Sequence, residues 1–382
     1  MRPLRICQLI TELGPAGAER CVFELARRLD KRRFEVQVAA LRGGAVAQWL
    51  TEASVPVTVL DIRSRLDLPK AGKLVAFLAR ERFDILHTHL FHADLVGRPA
   101  AWLTDVPHLV HTVHTAEGRY RPWQFAYARL AAPLCERIIC VSASARDLHA
   151  RRSGLPLSHY TVIPNGVDAA AFSRDPQARA ELRKQWGLGE REVLAAYVGR
   201  LDGEKGIDTL LEAWSGLIAG SSVTRLIIAG DGPRRSRVEN VAVHGRGRWR
   251  IKYLGFVRDV RGLLSAADML VMPSMWEGFG LTAAEAMAAG LPVIATDVPG
   301  LRDVIDDGVT GVLVPREDAV ALASTVAALA ADGDKRHRMG QAGLERVKKL
   351  YPLDASIAAH ERLYEAITDP RNDQSRSRCA RG

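Results

Sequence analysis

Short apolar runs alternate with longer amphipathic stretches through the first 165 residues. The runs predicted as strands are LRICQLI, EVQVAAL, VPVTVLDI, DILHTHL, HLVHTVH, ERIICVSAS and YTVIPN. Helices are predicted at 18–29, around Trp49, at 69–82 and at 96–103, between those strands. Strands that are separated by helical crossovers run parallel, so this alternation predicts an open α/β sheet.

A second series of the same kind follows a polar stretch near residues 165–191. Its predicted strands are EVLAAYVG, TRLIIAG, IKYLGF, DMLVMP, PVIAT and TGVLVP, with helices at 208–219 and within 318–349. We therefore predict an amino-terminal domain at 1–168, a linker at 169–190 and a second α/β domain at 191–351. A helix follows at 352–368, and the polar, arginine-rich tail at 369–382 is expected to be disordered.

Length and composition agree with two soluble domains. The chain has 382 residues, a mass of 41.8 kDa and 47% hydrophobic residues. We find no apolar run long enough to cross a bilayer, and the start MRPLRICQLI leads directly into a strand, unlike a signal peptide. The five cysteines are scattered and odd in number, which predicts reduced thiols in the cytosol.

The formal net charge of +9 suggests nucleic acid as a partner, but the sequence contains no nucleic-acid-binding motif. An enzyme of anionic substrates, with or without peripheral contact to an anionic membrane leaflet, explains the sign equally well. Basic residues concentrate at 27–33, at the end of the first helix. We favour solvation and interaction with the helix dipole there over a membrane-facing patch.

The stretch from Pro273 to Gly300 carries the most specific chemistry. It predicts a strand end, a glycine-bearing loop, a short helix and another strand. The unpaired N–H groups of such a helix favour an anion at the crevice where parallel strands end. One alternative is structural, because Thr282 and Glu285 also fit a capping box.

A second loop, GRLDGEKG, places Arg200 and Lys205 after a strand. These cations suit a diphosphate leaving group. The alternative is a solvated loop in which Asp202 and Glu204 pair locally with the cations. The turn GDGP near Gly232 permits close backbone approach, although alone it is weak evidence.

These motifs together resemble those of the retaining glycosyltransferases of family 4, which have the GT-B fold. EGFGL followed by AEAMAAGLPVIAT resembles the family's E-x7-E signature, and GRLDGEKG resembles its GRL-x3-KG motif. The loop from Gly14 to Glu19 resembles its GGAE loop. Pro15 and Ala16 depart from the paired glycines of that loop, and Thr282 and Ala283 depart from the signature.

The resemblance spans about residues 4–366 and implies two Rossmann-like domains that face each other across a cleft. It implies retaining transfer of a sugar from a nucleotide diphosphate sugar, most often a UDP-sugar, to a glycan or lipid-linked hydroxyl. No metal or other cofactor is implied, and the terminal helix is expected to cross back onto the first domain. A role in cell-surface polysaccharide or glycolipid synthesis, in the cytoplasm or at the inner membrane face, would follow.

The resemblance also implies residue roles. Catalytic roles fall on His114, Arg200, Lys205 and Glu277. Donor-binding roles fall on Gly17, Gly232, Phe256, Val257, Gly278, Phe279, Gly280, Leu281 and Glu285. Within these sets, Arg200 and Lys205 would hold the diphosphate, Glu285 the ribose, and Glu277 and His114 hydroxyls of the sugar.

Several alternatives remain open at this point. His111 is the rival of His114, and the repeated histidines His87 and His89 require metal ligation to be considered, although no cysteine or acidic cluster completes a site. Asp332-Gly-Asp334 has the form of a metal-diphosphate motif, but we interpret it as a solvated turn. The activity alternatives are a nucleotide-sugar epimerase or hydrolase with the GT-B fold and a non-catalytic basic surface-binding protein.

Overall fold

The computed structural model of the chain describes residues 2–62, 68–115, 120–189, 191–219, 224–245 and 250–371. Two compact units divide it: one comprises the chain up to Asn165 and again from Asp354, and the other spans Gly166–Leu353. Each unit contains a parallel sheet with helices in its connections, so the predicted α/β architecture is confirmed. The tail that is predicted to be disordered lies mostly at 372–382, outside the described residues.

The described strands of the first unit are ordered β3-β2-β1-β4-β5-β6-β7. Its elements are β1 (Leu4–Glu12), α1 (Gly17–Arg28), β2 (Phe34–Arg42), α2 (Ala45–Glu52), β3 (Val57–Val59), α3 (Leu68–Glu81), β4 (Ile85–His89), α4 (Phe91–Leu103), β5 (His108–Val113), α5 (Pro122–Leu130), β6 (Arg137–Cys140), α6 (Ala143–Ser153) and β7 (Tyr160–Val162). The strand order reverses direction between β1 and β4, which is where a ligand crevice forms in such sheets.

The described strands of the second unit are ordered β10-β9-β8-β11-β12-β13, with the reversal between β8 and β11. Its elements are α7 (Pro176–Gln185), β8 (Val193–Val198), α8 (Ile207–Ala219), β9 (Thr224–Ala229), α9 (Arg235–His244), β10 (Ile251–Tyr253), α10 (Arg261–Ala266), β11 (Met269–Met272), α11 (Leu281–Ala288), β12 (Val293–Thr296), α12 (Pro299–Val304), β13 (Gly311–Val314), α13 (Ala319–Ala331) and α14 (Gly333–Leu350). β11 and β12 are buried throughout, as expected for strands covered on both faces.

The segment 169–190, expected as a linker, belongs to the second unit and contains α7. Asp175 caps this helix by accepting from the N–H groups of Gln177 and Ala178. Arg179 and Arg183 of α7 both pair with Asp268, at 2.6 Å and 3.0 Å. The apolar pattern missed the helix because it has no buried residue.

The last helix, α15 (Leu353–Thr368), packs in the first unit. Tyr364 is fully buried there, and its hydroxyl lies 2.7 Å from Nδ1 of His87. Ser356 donates to the carbonyl oxygen of Pro164 at 2.8 Å. This helix therefore completes the core beside β1 and β4.

The basic residues near the end of α1 are largely paired with carboxylates. Arg27 and Arg28 both contact Glu24, and Arg33 contacts Glu361 and Glu365 of α15. These ion pairs give most of the basic residues at 27–33 a structural role. Among the described helices, none is long and apolar enough to cross a membrane.

Candidate active site

The loops after β8 and β11 meet at the point where the strand order of the second sheet reverses. The N–H of Met275 donates to the carbonyl oxygen of Glu204 at 2.8 Å. Gly206 has φ of +67°, and a Cβ there would lie 1.8 Å from the carbonyl oxygen of Pro273. Two motifs far apart in the sequence are thus brought together, and only glycine permits this approach.

Gly206→Ala is therefore expected to destabilise the second unit by about 1–3 kcal/mol, because it adds backbone strain and a clash with main-chain atoms. Gly203→Ala in the same loop is the matched control, since a Cβ on Gly203 would meet nothing within 4 Å. Urea unfolding of both variants measures the difference. Equal midpoints would contradict the tight approach of the two loops.

Lys205 and Glu277, two of the predicted catalytic residues, form an ion pair across these loops. Nζ of Lys205 lies 2.6 Å from Oε1 of Glu277, and the Ser274 hydroxyl donates to the same oxygen at 2.9 Å. Glu277 is the more shielded partner, with 11% of its side chain exposed against 29% for Lys205. The pair fixes a cation and a carboxylate side by side at the strand ends.

Arg200 makes the local ion pairs that the structural alternative anticipated. Its guanidinium contacts Asp202 and lies 3.0 Å from Glu204. Its backbone is held by the hydroxyl of Tyr197, which donates to the Arg200 carbonyl at 2.8 Å. Because 48% of the Arg200 side chain is exposed, the guanidinium can exchange these carboxylates for another anion at modest expense.

Helix α11 starts beside this ion pair. Its N-cap is Gly280, with φ of +89° and no side-chain cap, so the first N–H groups of the helix have no intrahelical acceptor. Thr282 lies inside the helix, so the proposed capping box with Glu285 is wrong. Glu285 itself is 2% exposed, within a helix whose other buried residues are apolar.

The glycine loop before α11 presents main chain rather than side chains. Phe279 is buried and packs edge-on against Tyr351, with ring centroids 5.1 Å apart. A Cβ on Gly300 would lie 2.7 Å from the carbonyl carbon of Gly278, so α12 also packs closely on this loop. Any contact of Gly278, Phe279 or Gly280 with a ligand therefore runs through backbone groups.

The turn after β9 and the loop after β10 border the same sheet edge. Gly230 and Gly232 have φ of +149° and +157° and pack against the carbonyl oxygens of Gly199 and Leu201. The N–H of Gly230 donates to the Gly255 carbonyl at 2.8 Å. Phe256 and Val257 come next, Phe256 being exposed. The predicted base-binding segment thus adjoins the turn.

In the first unit, the corresponding edge holds the loop that opens α1. This helix begins at Gly17, and Glu19 is buried in its first turn. A Cβ on Gly17 would meet nothing within 4 Å, so the fold itself does not require glycine there. The packing requirement lies instead at Gly44, where a Cβ would lie 2.2 Å from the carbonyl oxygen of Leu13.

His114 follows β5 and ends a buried hydrogen-bonded chain. Its Nε2 lies 2.9 Å from Nδ1 of His89, whose Nε2 contacts the side-chain oxygen of Gln8. The amide nitrogen of Gln8 donates to the hydroxyl of Tyr364 at 3.0 Å. The chain links the end of β5 to α15.

The direction of this chain assigns the proton on each ring. Because the Gln8 oxygen accepts, Nε2 of His89 carries a proton, and its Nδ1 accepts from Nε2–H of His114. Burial lowers the pKa of His114 to about 3, so the ring is neutral. Its Nδ1 is then a buried acceptor with no partner among the described residues, suited to receive a hydroxyl proton.

Gln8→Leu is expected to mix the two neutral tautomers of His114, because the acceptor that orients His89 is lost. Tyr364→Phe is the control: it breaks the other hydrogen bond of Gln8 and leaves the contact with His89 in place. Ring ¹⁵N shifts in histidine-labelled protein, assigned with His114→Asn, distinguish the tautomers. A wild-type pattern in Gln8→Leu would refute this orientation.

His111, the rival of His114, lies within β5 and faces a different group. Its Nδ1 lies 2.9 Å from the Thr88 hydroxyl and 3.3 Å from Asp94, which also pairs with the fully buried Arg98 at 2.7 Å. Burial lowers the pKa of His111 to about 4. His111 is therefore committed to a buried polar cluster, whereas His114 stands at the strand end.

The remaining metal candidates have structural partners. The described residues contain no group of three or more His, Cys, Asp or Glu side chains placed to hold a metal ion. His87 lies 2.7 Å from both Tyr364 and Thr112. Asp332 caps α14 by accepting from the Lys335 N–H at 2.8 Å, so the Asp332-Gly-Asp334 segment is a helix start.

Sequence reasoning missed Ser274, Gln8 and Tyr364. Ser274 sits within the Pro273–Gly300 stretch, and its place three residues before Glu277 was a usable signal. Gln8 was detectable as an amide in an otherwise apolar strand. Tyr364 left no signal, because its partner lies 277 residues away in the chain.

Comparison with known proteins shows the family to which the chain belongs. The family model for glycosyl transferases group 1 matches residues 178–346, and that for glycosyltransferase family 4 matches residues 15–171. A D-inositol 3-phosphate glycosyltransferase of Xylanimonas cellulosilytica is 32% identical, with 94% of each chain covered. The UDP-Gal:alpha-D-GlcNAc-diphosphoundecaprenol alpha-1,3-galactosyltransferase of Escherichia coli is 27% identical over 79% of this chain and 82% of that protein.

A solved structure shows the same fold. The crystal structure of Anabaena HepE in complex with UDP-glucose is similar with a TM-score of 0.84 at 22% identity, covering 95% of this chain and all of that one. Two parallel-sheet units, the matched family models and the full-length relative agree on one assignment. The chain is a glycosyltransferase with the GT-B fold and belongs to glycosyltransferase family 4.

Proposed function

We propose that the enzyme transfers a sugar from a UDP-sugar to a hydroxyl of a glycan or lipid-linked acceptor, with retention of anomeric configuration. The observation that carries the proposal is the meeting of Lys205, Glu277 and the start of α11 where the second sheet reverses its order. The names of the relatives support the substrate classes, since one uses UDP-Gal with a lipid diphosphate acceptor and another carries UDP-glucose.

The proposed step is an attack on the face from which the diphosphate leaves. The acceptor oxygen bonds to the anomeric carbon as the bond from that carbon to the phosphate oxygen breaks. The acceptor proton passes to the departing phosphate. The protein then contributes mainly fixed positive charge where negative charge develops, so Lys205, Arg200 and the N–H groups of α11 replace a metal ion.

The remaining roles are proposed from the resemblance to the family and are supported by where each group lies. Glu285, buried in α11, holds the ribose hydroxyls, while the Gly230–Gly232 turn and the segment at Phe256 and Val257 receive the nucleoside through backbone groups. Glu277 accepts from a sugar hydroxyl with the oxygen that Lys205 does not occupy. His114 accepts from another hydroxyl through Nδ1.

The acceptor side of the proposal rests on aromatic residues near the end of β4. Phe91 packs against Tyr120, Trp123 and Tyr127, with ring centroids 5.2–5.8 Å apart. Trp123 remains 42% exposed, which leaves an aromatic surface for a glycan or a lipid-linked sugar. Residues 116–119, which precede Tyr120, lie outside the described residues. We propose synthesis of a cell-surface polysaccharide or glycolipid as the setting.

A thermal-shift panel of UDP-, GDP- and ADP-sugars tests the donor, and product analysis tests the reaction. We expect stabilisation by UDP-sugars, an α-linked product from an α-linked donor, and turnover that survives EDTA. Stabilisation by a GDP- or ADP-sugar alone would refute the proposal that the donor is a UDP-sugar. Sugar release or epimerisation without an acceptor would favour the hydrolase or epimerase alternative, and no binding at all would favour the non-catalytic one.

Glu285→Gln is expected to weaken UDP binding about tenfold or more, because a charge-assisted hydrogen bond to the ribose is replaced by a neutral one. The free energy of unfolding without ligand is measured as well, because it reports on the structural contacts of this buried carboxylate. Calorimetric titration with UDP and urea unfolding measure the two effects. A change in stability with unchanged UDP affinity would assign Glu285 a structural role.

A further inference from the structure

A cavity of about 620 Å³ opens in the second unit, at the edge of the sheet opposite to the candidate active site. Asp268 and Pro292 line it, and they directly precede β11 and β12. The cavity therefore lies at the amino ends of these strands, whereas Lys205 and Glu277 lie at the carboxyl ends. The proposed sugar transfer makes no use of it.

The walls come from three parts of the second unit. One face of α14 supplies Arg336, His337 and Lys348, the segment leading into α7 supplies Arg174, and the end of α11 supplies the small residues of the floor. Small floor residues and long basic walls leave a concave space. Its volume falls in the range of pockets for small molecules.

The charge of the lining is strongly positive. Arg174, Arg179, Arg336 and Lys348 face a single carboxylate, that of Asp268. Asp268 is already shared, because Arg179 lies 2.6 Å and Arg183 3.0 Å from its oxygens. Four cations against one carboxylate make a potential that attracts anions into the cavity.

The arginines are held in place mostly by neutral acceptors. Arg179 donates to the carbonyl oxygens of Ala266 and Ala267 at 2.7 Å and 2.9 Å, and Arg174 donates to that of Ala267 at 2.8 Å. Arg336 donates to the Ala330 carbonyl at 2.7 Å. Carbonyl groups orient guanidinium groups without cancelling their charge, so the cations are positioned in advance for an anion.

Other donors remain available. The side chains of Lys348 and His337 have no hydrogen-bond or ion-pair partner within the described ranges, and the bonds of the Arg174 side chain use Nε and Nη2, not Nη1. Burial lowers the pKa of Arg174, and the neighbouring positive charge of Arg179 lowers it further. A bound anion would offset the repulsion between these two guanidinium groups.

We propose that this cavity binds a small phosphorylated organic molecule, such as a sugar phosphate or a nucleoside monophosphate. Planar guanidinium groups match phosphate geometry, and Lys348 adds a mobile cation at the rim. A volume of about 620 Å³ exceeds what a bare phosphate fills, so the organic part is expected to occupy the floor of small residues. The site is independent of the proposed donor site.

Calorimetric titration of the full-length enzyme with glucose 1-phosphate, AMP, inorganic phosphate and pyrophosphate tests the proposal. We expect one of the two organic phosphates to bind at least tenfold more tightly than either inorganic ion. Arg174→Gln combined with Lys348→Gln should weaken that binding at least tenfold. Lys349→Gln is the matched control, since Lys349 neighbours Lys348 on α14 but does not line the cavity.

A Lys205→Ala variant separates this site from the donor site and is expected to bind the same ligand unchanged. Loss of binding in Lys205→Ala would place the ligand at the candidate active site and overturn the proposal. Equal affinity of the double variant and the wild type, equal affinity for inorganic phosphate, or no binding of any probe would each overturn it as well. Failure of the UDP-sugar assignment would leave these measurements unaffected.

Discussion

Lys205→Ala is expected to lower kcat by about 10²–10³-fold, equivalent to about 2.7–4 kcal/mol of transition-state stabilisation. In the proposed reaction, Lys205 faces the charge that develops on the leaving diphosphate. Removing it also leaves the carboxylate of Glu277, only 11% exposed, without its cation. The affinity for the donor should fall less than kcat, because the charge is larger in the transition state than in the bound substrate.

Lys205→Arg and Lys349→Ala serve as controls in a steady-state assay with the UDP-sugar that the panel identifies. The arginine variant should recover part of kcat, and the distant lysine variant should match the wild type. Arg200→Ala should have the smaller effect of the two motif cations, because Arg200 is half exposed and paired locally. Wild-type turnover in Lys205→Ala would remove the leaving-group role altogether.

Acid is expected to destabilise the first unit steeply below about pH 6.5. Burial holds the pKa values of six of its described histidines below the usual value: His87, His89, His111, His114, His149 and His360. The unfolded chain therefore takes up protons first as the pH falls through 6.5, and the folded unit takes them up only near pH 4 or below. Stability is full above that window and is lost as the pH falls through it.

Each such histidine lowers the free energy of unfolding by about 1.4 kcal/mol per pH unit inside the window. Hydrogen exchange measured by mass spectrometry at pH 7, 6 and 5 follows the first unit separately from the second. His149→Gln should reduce the pH dependence of the free energy of unfolding by the equivalent of about one proton. His337→Gln changes an exposed residue of α14 and should leave that pH dependence unchanged. If the stability of the first unit did not change with pH, that result would contradict the neutral state of the buried histidines.

Both sheets and most of their strands could be predicted from the sequence, because parallel strands buried on two faces leave continuous apolar runs. Elements without such a signal were missed. Helix α7 buries no residue and is held by Arg179 and Arg183 to Asp268, a pairing that spans 85 residues or more. Hydrophobic periodicity contains no information about such ion pairs, so the segment looked like a linker.

The candidate site also has features that the sequence could predict and features that it could not. Motif spacing placed Lys205 and Glu277 in loops that follow strands and Glu285 in the next helix, because strand, loop and helix follow each other locally. The spacing could not show which residues act through their side chains and which act through backbone groups. Phe279 was expected at the donor, yet its ring packs on Tyr351, 72 residues further along the chain. Partners this distant are set by tertiary packing, which the local pattern does not encode.

The placement of α15 has a consequence for how the chain is made. β1 to β7 are synthesised before the second unit, but Tyr364 and His360, which fill the space beside His87, are synthesised after it. The second unit, Gly166–Leu353, is continuous and can complete its own core earlier. During translation the strands of the first unit therefore wait, with an open core and unsatisfied polar groups, until α15 has emerged, and that interval is when they most need a chaperone.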